Sequence, residues 1–123
     1  KSLGGSSLIN VMLYTRGSAR DYDDWATMCQ DESWKGLNMI DYFKKAEEAL
    51  APNLKQEWHG TSGPSGVSDV PYQNDLSKAF VQAAIEAGHS YIDDFNDWSK
   101  SQSGFGRFHV SQRGGRRETA YSA

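Results

Sequence analysis

Leu3-Gly4-Gly5-Ser6-Ser7-Leu8-Ile9-Asn10-Val11-Met12-Leu13-Tyr14-Thr15-Arg16-Gly17 is the most informative stretch of the chain. Paired glycines let a backbone approach a ligand closely, and either of the two serines that follow can cap a helix. The first turn of a helix presents unpaired N–H groups and partial positive charge, a ready place for a phosphate or a developing anion. Residues 8–14 are apolar on all sides, which on a helix means burial all round. Asn10 interrupts them with an amide whose donors and acceptor need partners, since leaving such a group unsatisfied costs about 1–3 kcal/mol. Protein backbone or a bound polar ring can answer it. On these residues alone, a tight turn at Gly4-Gly5 with Asn10 pinning a loop competes evenly with a ligand-binding reading.

Outward from this stretch the helical signals are local. Ser18 and Asp21 have the spacing of a capping box, and Tyr22, Trp25, Ala26 and Cys29 recur at i, i+3, i+4 and i+7, predicting a helix over about 19–29. Asn38 and Asp41 repeat the start signal, Met39, Phe43, Ala46 and Leu50 form one stripe, and Pro52 follows, predicting a helix over about 39–50. After Asp75, the residues Leu76, Ala79, Phe80, Ala83, Ala84 and Ala87 share a face and Gly88 supplies a left-handed stop. Residues 59–66, with three glycines and a proline, read as a loop feeding a short strand at 67–70. A second strand is expected over 105–112, with Phe108 and Val110 alternating against Arg107 and His109. The expectation is an α+β fold, a helix-rich fragment with a few short strands and a sheet completed by other chain.

Composition sets outer bounds. The 123 residues carry 13 basic and 16 acidic side chains, with four Trp, six Tyr and five Phe to build a core. Mean hydropathy is −0.70 and there are 12 glycines, the profile of a loop-rich globular chain rather than a disordered one. No apolar run approaches the ~18 residues that span a bilayer. Cys29 is alone and cannot form an internal disulfide. The chain starts at Lys1 and opens directly on its most informative motif, so it reads as an internal fragment.

Other constellations have structural readings. Cys29, His59, His89 and His109 are spaced too irregularly for a metal motif, and Asp93, Asp94, Asn96 and Asp97 lack the glycine and final glutamate of a calcium loop, so no metal is expected. Arg113, Arg116 and Arg117 with Gly114 and Gly115 make one glycine-arginine run in an acidic chain, too little for nucleic-acid binding. Trp25, Trp34, Tyr42 and Phe43 are expected in the core. Arg16 is read as an ion-pair or cap partner of Asp21 and Asp23, and His59-Gly60 as a turn.

The whole pattern resembles one family. GGSSLIN followed by Tyr14, Arg16-Gly17, Asp21-Tyr22-Asp23 and Trp25 is similar to the first signature of the glucose-methanol-choline (GMC) flavin oxidoreductases. The likeness continues through Trp34, residues 42–45 with Glu47, His59-Gly60, Gly63-Pro64, residues 80–88, Asp94 with Asn96, residues 104–106 and Gly115-x-Arg117-x-Thr119-Ala120. Within the family it leans toward the choline-dehydrogenase and glucose-dehydrogenase branches. The resemblance implies that Leu3, Gly4, Gly5, Ser6, Ser7, Asn10, Val11, Met12 and Leu13 contact FAD, with 1–17 the flavin-contacting loop and helix and 18–123 a helical, substrate-side scaffold. It implies oxidation of the CH–OH group of a small alcohol, choline or sugar by hydride transfer to flavin. Some relatives attach FAD through a histidine just before the asparagine; Ile9 stands there, so noncovalent FAD is expected. The family's GxGxxG turn and catalytic histidine have no counterpart here: Gly104-Phe105-Gly106 leads to His109 where a third glycine is needed, and no histidine has the matching context. No catalytic residue is assigned. A noncatalytic module that keeps the fold is the alternative, and compartment and oligomeric state are not written in these residues.

Overall fold

A computed structural model describes residues 1–123. Three helices, α1 (Ala19–Cys29), α2 (Gly36–Ala46) and α3 (Asp75–Glu86), combine with six short strands and two 3-10 turns, Gly5–Leu8 and Glu32–Trp34. The strands are β1 (Glu47–Ala49), β2 (Ser65–Ser68), β3 (Tyr91–Ile92), β4 (Phe105–Gly106), β5 (Val110–Arg113) and β6 (Arg116–Arg117). The α+β class expected from the sequence holds. No helix is long and apolar enough to cross a membrane.

Local signals place α1 well. Ser18 has extended backbone and closes a reciprocal capping box with Asp21: the Asp21 N–H donates to the Ser18 hydroxyl, and the Ser18 N–H to the Asp21 carboxylate at 2.8 Å. α3 is started by Asn74, which accepts from the Leu76 N–H at 2.8 Å, and is followed by Gly88 at φ +90°. Its expected apolar face is mostly uncovered, with Ala79, Ala83 and Ala87 exposed as well. Ala84 is buried, whereas Leu76 and Phe80 stay exposed because the helix rests mainly on the two-residue β4, where Phe80 meets Phe105 edge-on at 5.8 Å.

α2 departs from expectation at both ends. It starts at Gly36, whose N–H donates to Asp23 of α1 at 3.0 Å, and it ends at Ala46. The stripe does not continue to Leu50, because Glu47 turns extended (φ −114°, ψ 156°) and begins β1, taking its carboxylate into the interior. β1 runs parallel to β2 with Glu47 opposite Ser65, β2 antiparallel to β5 with Val67 opposite Ser111, and β5 antiparallel to β6, giving the order β1-β2-β5-β6. β2 begins two residues before the expected strand and stops short of Val70, which is exposed.

The single strand expected over 105–112 is two strands in two sheets. β4 pairs in parallel with β3, while β5 belongs to the four-stranded sheet, so the chain must bend at 107–109. That bend breaks the expected alternation at 108–109, while Val110 is buried and Arg107 exposed as expected. His109 is buried, and Phe108 lies near the surface, stacked on Phe95 with centroids 4.4 Å apart.

The interior is as much polar as apolar. Ala51, Leu54 and Val67 form a small core against Tyr14 and Ala49, and Tyr22, Trp25, Trp34, Phe43 and Trp98 interlock mostly edge-to-face beside it. Of the four aromatics expected in the core only Phe43 is partly buried; Trp25 and Trp34 join the edge-to-face cluster from the surface, 50 % and 40 % exposed, and Tyr42 points to solvent. Arg16, Glu47, His59, Asp94, Asn96, Asp97 and His109 are buried among these groups.

Candidate functional site

Residues 8–13 do not form the buried helix the sequence suggests. Gly4 and Gly5 adopt left-handed backbone (φ +93° and +55°), and only a four-residue 3-10 turn follows, with no side-chain cap from either serine. A turn this short accumulates no helix dipole, so the expected helix N-terminus is absent. Asn10 then folds its side chain over the next residues, its Oδ1 accepting from the Met12 N–H at 3.0 Å, and Met12 itself is left-handed (φ +63°). From there the backbone pairs outward. The Ser111 N–H donates to the Met12 carbonyl at 2.8 Å, Leu13 bridges Val110, and the Tyr14 N–H donates to the His109 carbonyl at 2.9 Å. The apolar run is thus an extra edge segment on β5, satisfied by residues about a hundred positions away.

The C-terminal segment fastens the same loop. The Ser7 hydroxyl donates to the Gly4 carbonyl and accepts from the Ala120 N–H at 3.0 Å. Arg117 donates to the Ser7 carbonyl at 3.0 Å and to Asn10 Oδ1 at 2.8 Å. A Cβ on Gly4 would lie within 3.5 Å of Ser7, Leu8 and Tyr121, whereas one on Gly5 would meet nothing within 4 Å. The loop is therefore packed on its inner side and open on its outer side.

That outer surface is unusual for a small domain. Leu3, Ile9, Val11 and Leu13 are 51–85 % exposed, and Ser6 and Asn10 are exposed among them. No hydrogen bond within the chain engages Asn10 Nδ2. Apolar side chains around a free amide donor match a flat heteroaromatic ring with acceptors on its rim, so the residues present fit a flavin.

A second constellation escaped the sequence reading. Arg16 does not pair with Asp21 or Asp23: its guanidinium donates to Glu47 Oε1 at 2.7 Å and to the Trp58 carbonyl at 2.7 Å, while its N–H donates to Asn96 Oδ1 at 2.9 Å. Nor is His59 merely part of a turn. Its Nδ1 lies 2.8 Å from Glu47 Oε1 and its Nε2 2.8 Å from Asp94 Oδ2, with the ring fully enclosed. Burial opposes ionisation of Glu47, but the His59 hydrogen bond, the nearby Tyr14 hydroxyl and the Arg16 charge overcome it and hold the carboxyl at about 2. Burial likewise opposes charge on His59, and the Asp94 and Glu47 carboxylates reverse that and raise it. Asp94 is held low by the His59 hydrogen bond and the Asn96 N–H against its own burial. For His109 burial dominates and lowers the ring below its ordinary value. Partners 31, 43 and 80 positions apart along the chain carry no periodic signal; only the Arg16-Gly17 and His59-Gly60 dipeptides mark them. Chemically the network is an anchor, fixing the exit of the glycine loop to the body of the fold.

Solved structures with this architecture define the class as oxidoreductases. Pyridoxine 4-oxidase from Mesorbium loti superimposes with a TM-score of 0.84 at 27 % identity over 96 % of this chain and 23 % of that one. An FAD-dependent oxidoreductase from Chaetomium thermophilum does so with a TM-score of 0.78 at 29 % identity, over 88 % and 20 %. The chain belongs to the GMC oxidoreductase family, whose model matches residues 1–123. It is 45 % identical to the oxygen-dependent choline dehydrogenase of Burkholderia pseudomallei (strain K96243) and 44 % identical to the chloroplastic fatty acid photodecarboxylase of Chlamydomonas reinhardtii, over 98 % of this chain in each case. It spans about a fifth of those relatives, 21 % and 19 % of their respective lengths.

Proposed function

We propose that residues 3–13 form the FAD-contacting loop of a GMC oxidoreductase that oxidises the CH–OH group of a small alcohol or sugar, and that the flavin is held noncovalently. The observation that carries this reading is the outward-facing Asn10 amide, set among exposed apolar side chains on a loop opened by two left-handed glycines. Bound FAD supplies the hydride acceptor. The chain's own residues bind and orient it: Gly4 and Gly5 bring the backbone close, Leu3, Val11, Met12 and Leu13 lie beside the cofactor, Ser6 faces it from the turn, and Ser7 holds the turn shut. Asn10 donates to the acceptor edge of the ring, where charge develops on reduction. Ile9 offers no nucleophile for attachment.

The proton of the substrate hydroxyl goes to a group outside residues 1–123. Both nitrogens of His59 are committed to carboxylates, and His109 Nε2 lies buried 3.3 Å from Asn53 Nδ2 and 3.5 Å from Asp69. The two relatives of nearly equal identity carry different printed reactions, a dehydrogenase and a photodecarboxylase, which supports a shared cofactor role for this segment.

The test is flavin retention by the intact parent protein. Wild type is expected to be yellow, to release its flavin into the supernatant on acid precipitation, and to lose flavin affinity in Asn10→Leu. Unchanged occupancy in Asn10→Leu refutes the contact, flavin left in the pellet refutes noncovalent binding, and a parent that binds no flavin supports a noncatalytic module.

A further inference from the structure

Asn10 Oδ1 accepts from two groups that can only donate, the Met12 N–H at 3.0 Å and the Arg117 guanidinium at 2.8 Å. Exchanging the oxygen and nitrogen of this amide would set donor against donor twice, so its orientation is fixed chemically. Nδ2 is then turned away from both partners, with two N–H groups that nothing in the chain engages. Of the two donors, the Met12 N–H is local and travels with the loop. Arg117 comes from β6, 107 positions away, and the same Nη1 also ties down the Ser7 carbonyl at 3.0 Å.

We propose that Arg117 is a positioning residue for the cofactor loop: its guanidinium holds Asn10 so that the amide presents donors, not its acceptor, to the bound ring. The proposal rests on the reading of residues 3–13 as the FAD-contacting loop and deepens it. Without Arg117 the Asn10 side chain keeps only one intraloop bond, and a half-turn about its terminal torsion, which is soft, puts the oxygen against the acceptor rim of the flavin. Ala120, two residues beyond Glu118, secures Ser7 independently through its own N–H, so the turn itself survives loss of the Arg117 side chain.

The test uses the full-length flavoprotein and compares Asn10→Leu, Arg117→Leu, Arg117→Lys and the double variant Asn10→Leu/Arg117→Leu. Flavin dissociation constant, visible spectrum and midpoint potential are measured beside thermal unfolding of the apoprotein. Arg117→Leu is expected to weaken flavin binding about tenfold or more, the scale of one lost charge-assisted hydrogen bond, and to shift the spectrum in the same direction as Asn10→Leu. The double variant is expected to bind no worse than Asn10→Leu alone, within about twofold, because the effect of Arg117 runs through Asn10. Arg117→Lys, with an ammonium able to reach the same acceptors, restores the spectrum in part. If Asn10→Leu changes binding and spectrum while Arg117→Leu changes neither, the positioning role is wrong and the loop assignment stands. If Asn10→Leu changes nothing, the loop assignment falls and takes this proposal with it. Multiplicative losses in the double variant also overturn it, by showing that Arg117 acts separately from Asn10. Should Arg117→Leu not fold, Arg117→Gln, which keeps a donor but no charge, is put through the same comparison.

Discussion

Arg16 Nη2 donates to Glu47 Oε1 across 2.7 Å, with both side chains at most 1 % exposed. This pair fastens the residue that leaves the glycine loop to the first residue of β1. Removing one partner strands a buried charge, whose cost exceeds any net gain from the pair itself. Arg16→Met is therefore expected to destabilise the protein by about 3–5 kcal/mol, and adding Glu47→Gln to recover part of that loss. Urea unfolding of the two variants checks it; a double variant weaker than Arg16→Met by the full cost of a second lost charge contradicts the pairing.

His59 and His109 push stability in opposite directions with pH. His59 is raised above 6.5 in the folded chain, so its contribution is complete below 6.5 and is lost as pH climbs through the higher folded value. His109 is lowered, so its contribution is complete above 6.5 and is lost as pH falls. Glu47, moved from 4.5 to about 2, adds stability that is present above 4.5 and disappears as pH drops toward 2. Urea midpoints measured across pH are expected to peak near neutrality, with His59→Gln flattening the alkaline side. Midpoints that rise steadily above neutrality contradict the upward shift of His59.

Ser18 and Asp21 cap α1 on the far side of that anchor. Ser18→Ala is expected to cost about 1 kcal/mol of stability while leaving flavin affinity within error. A loss of flavin affinity comparable to that of Asn10→Leu would show that the cap reaches the loop.

Gly60 and Gly88 are predicted to differ sharply. A Cβ on Gly60 would sit 1.8 Å from the Lys44 carbonyl oxygen, a backbone atom that cannot step aside, while one on Gly88 would have open space. Gly60→Ala is expected to give no folded protein. Gly88→Ala carries only the strain of φ +90°, about 1–2 kcal/mol. Circular dichroism of the two proteins side by side decides it.

What the sequence made legible was local. The capping box at Ser18, the start and stop of α3, and the glycine-serine signature at 4–10 all lie within short windows, where spacing alone carries the information. What it hid was long-range. The run at 8–13 looks helical by composition, yet two left-handed glycines and the Asn10 turn prevent a helix, and β5 completes its backbone bonding. Glu47 falls inside the expected helix over 39–50 but leaves it in space, because Arg16, His59 and the Gly60 N–H converge on its carboxylate. The polar hub was invisible for the same reason: its members meet only once the sheet has formed.

The stitching of Ser7 to Ala120 and of Asn10 to Arg117 also governs when the glycine loop can take its shape during synthesis. A ribosome delivers roughly 5–20 residues per second, so the nascent glycine turn waits several seconds or longer before its clasp emerges from the exit tunnel. Until then Leu3, Ile9, Val11 and Leu13 lack the partners that shape their loop, a natural foothold for a chaperone. The loop therefore takes its final shape only once Arg117 and Ala120 have been synthesised.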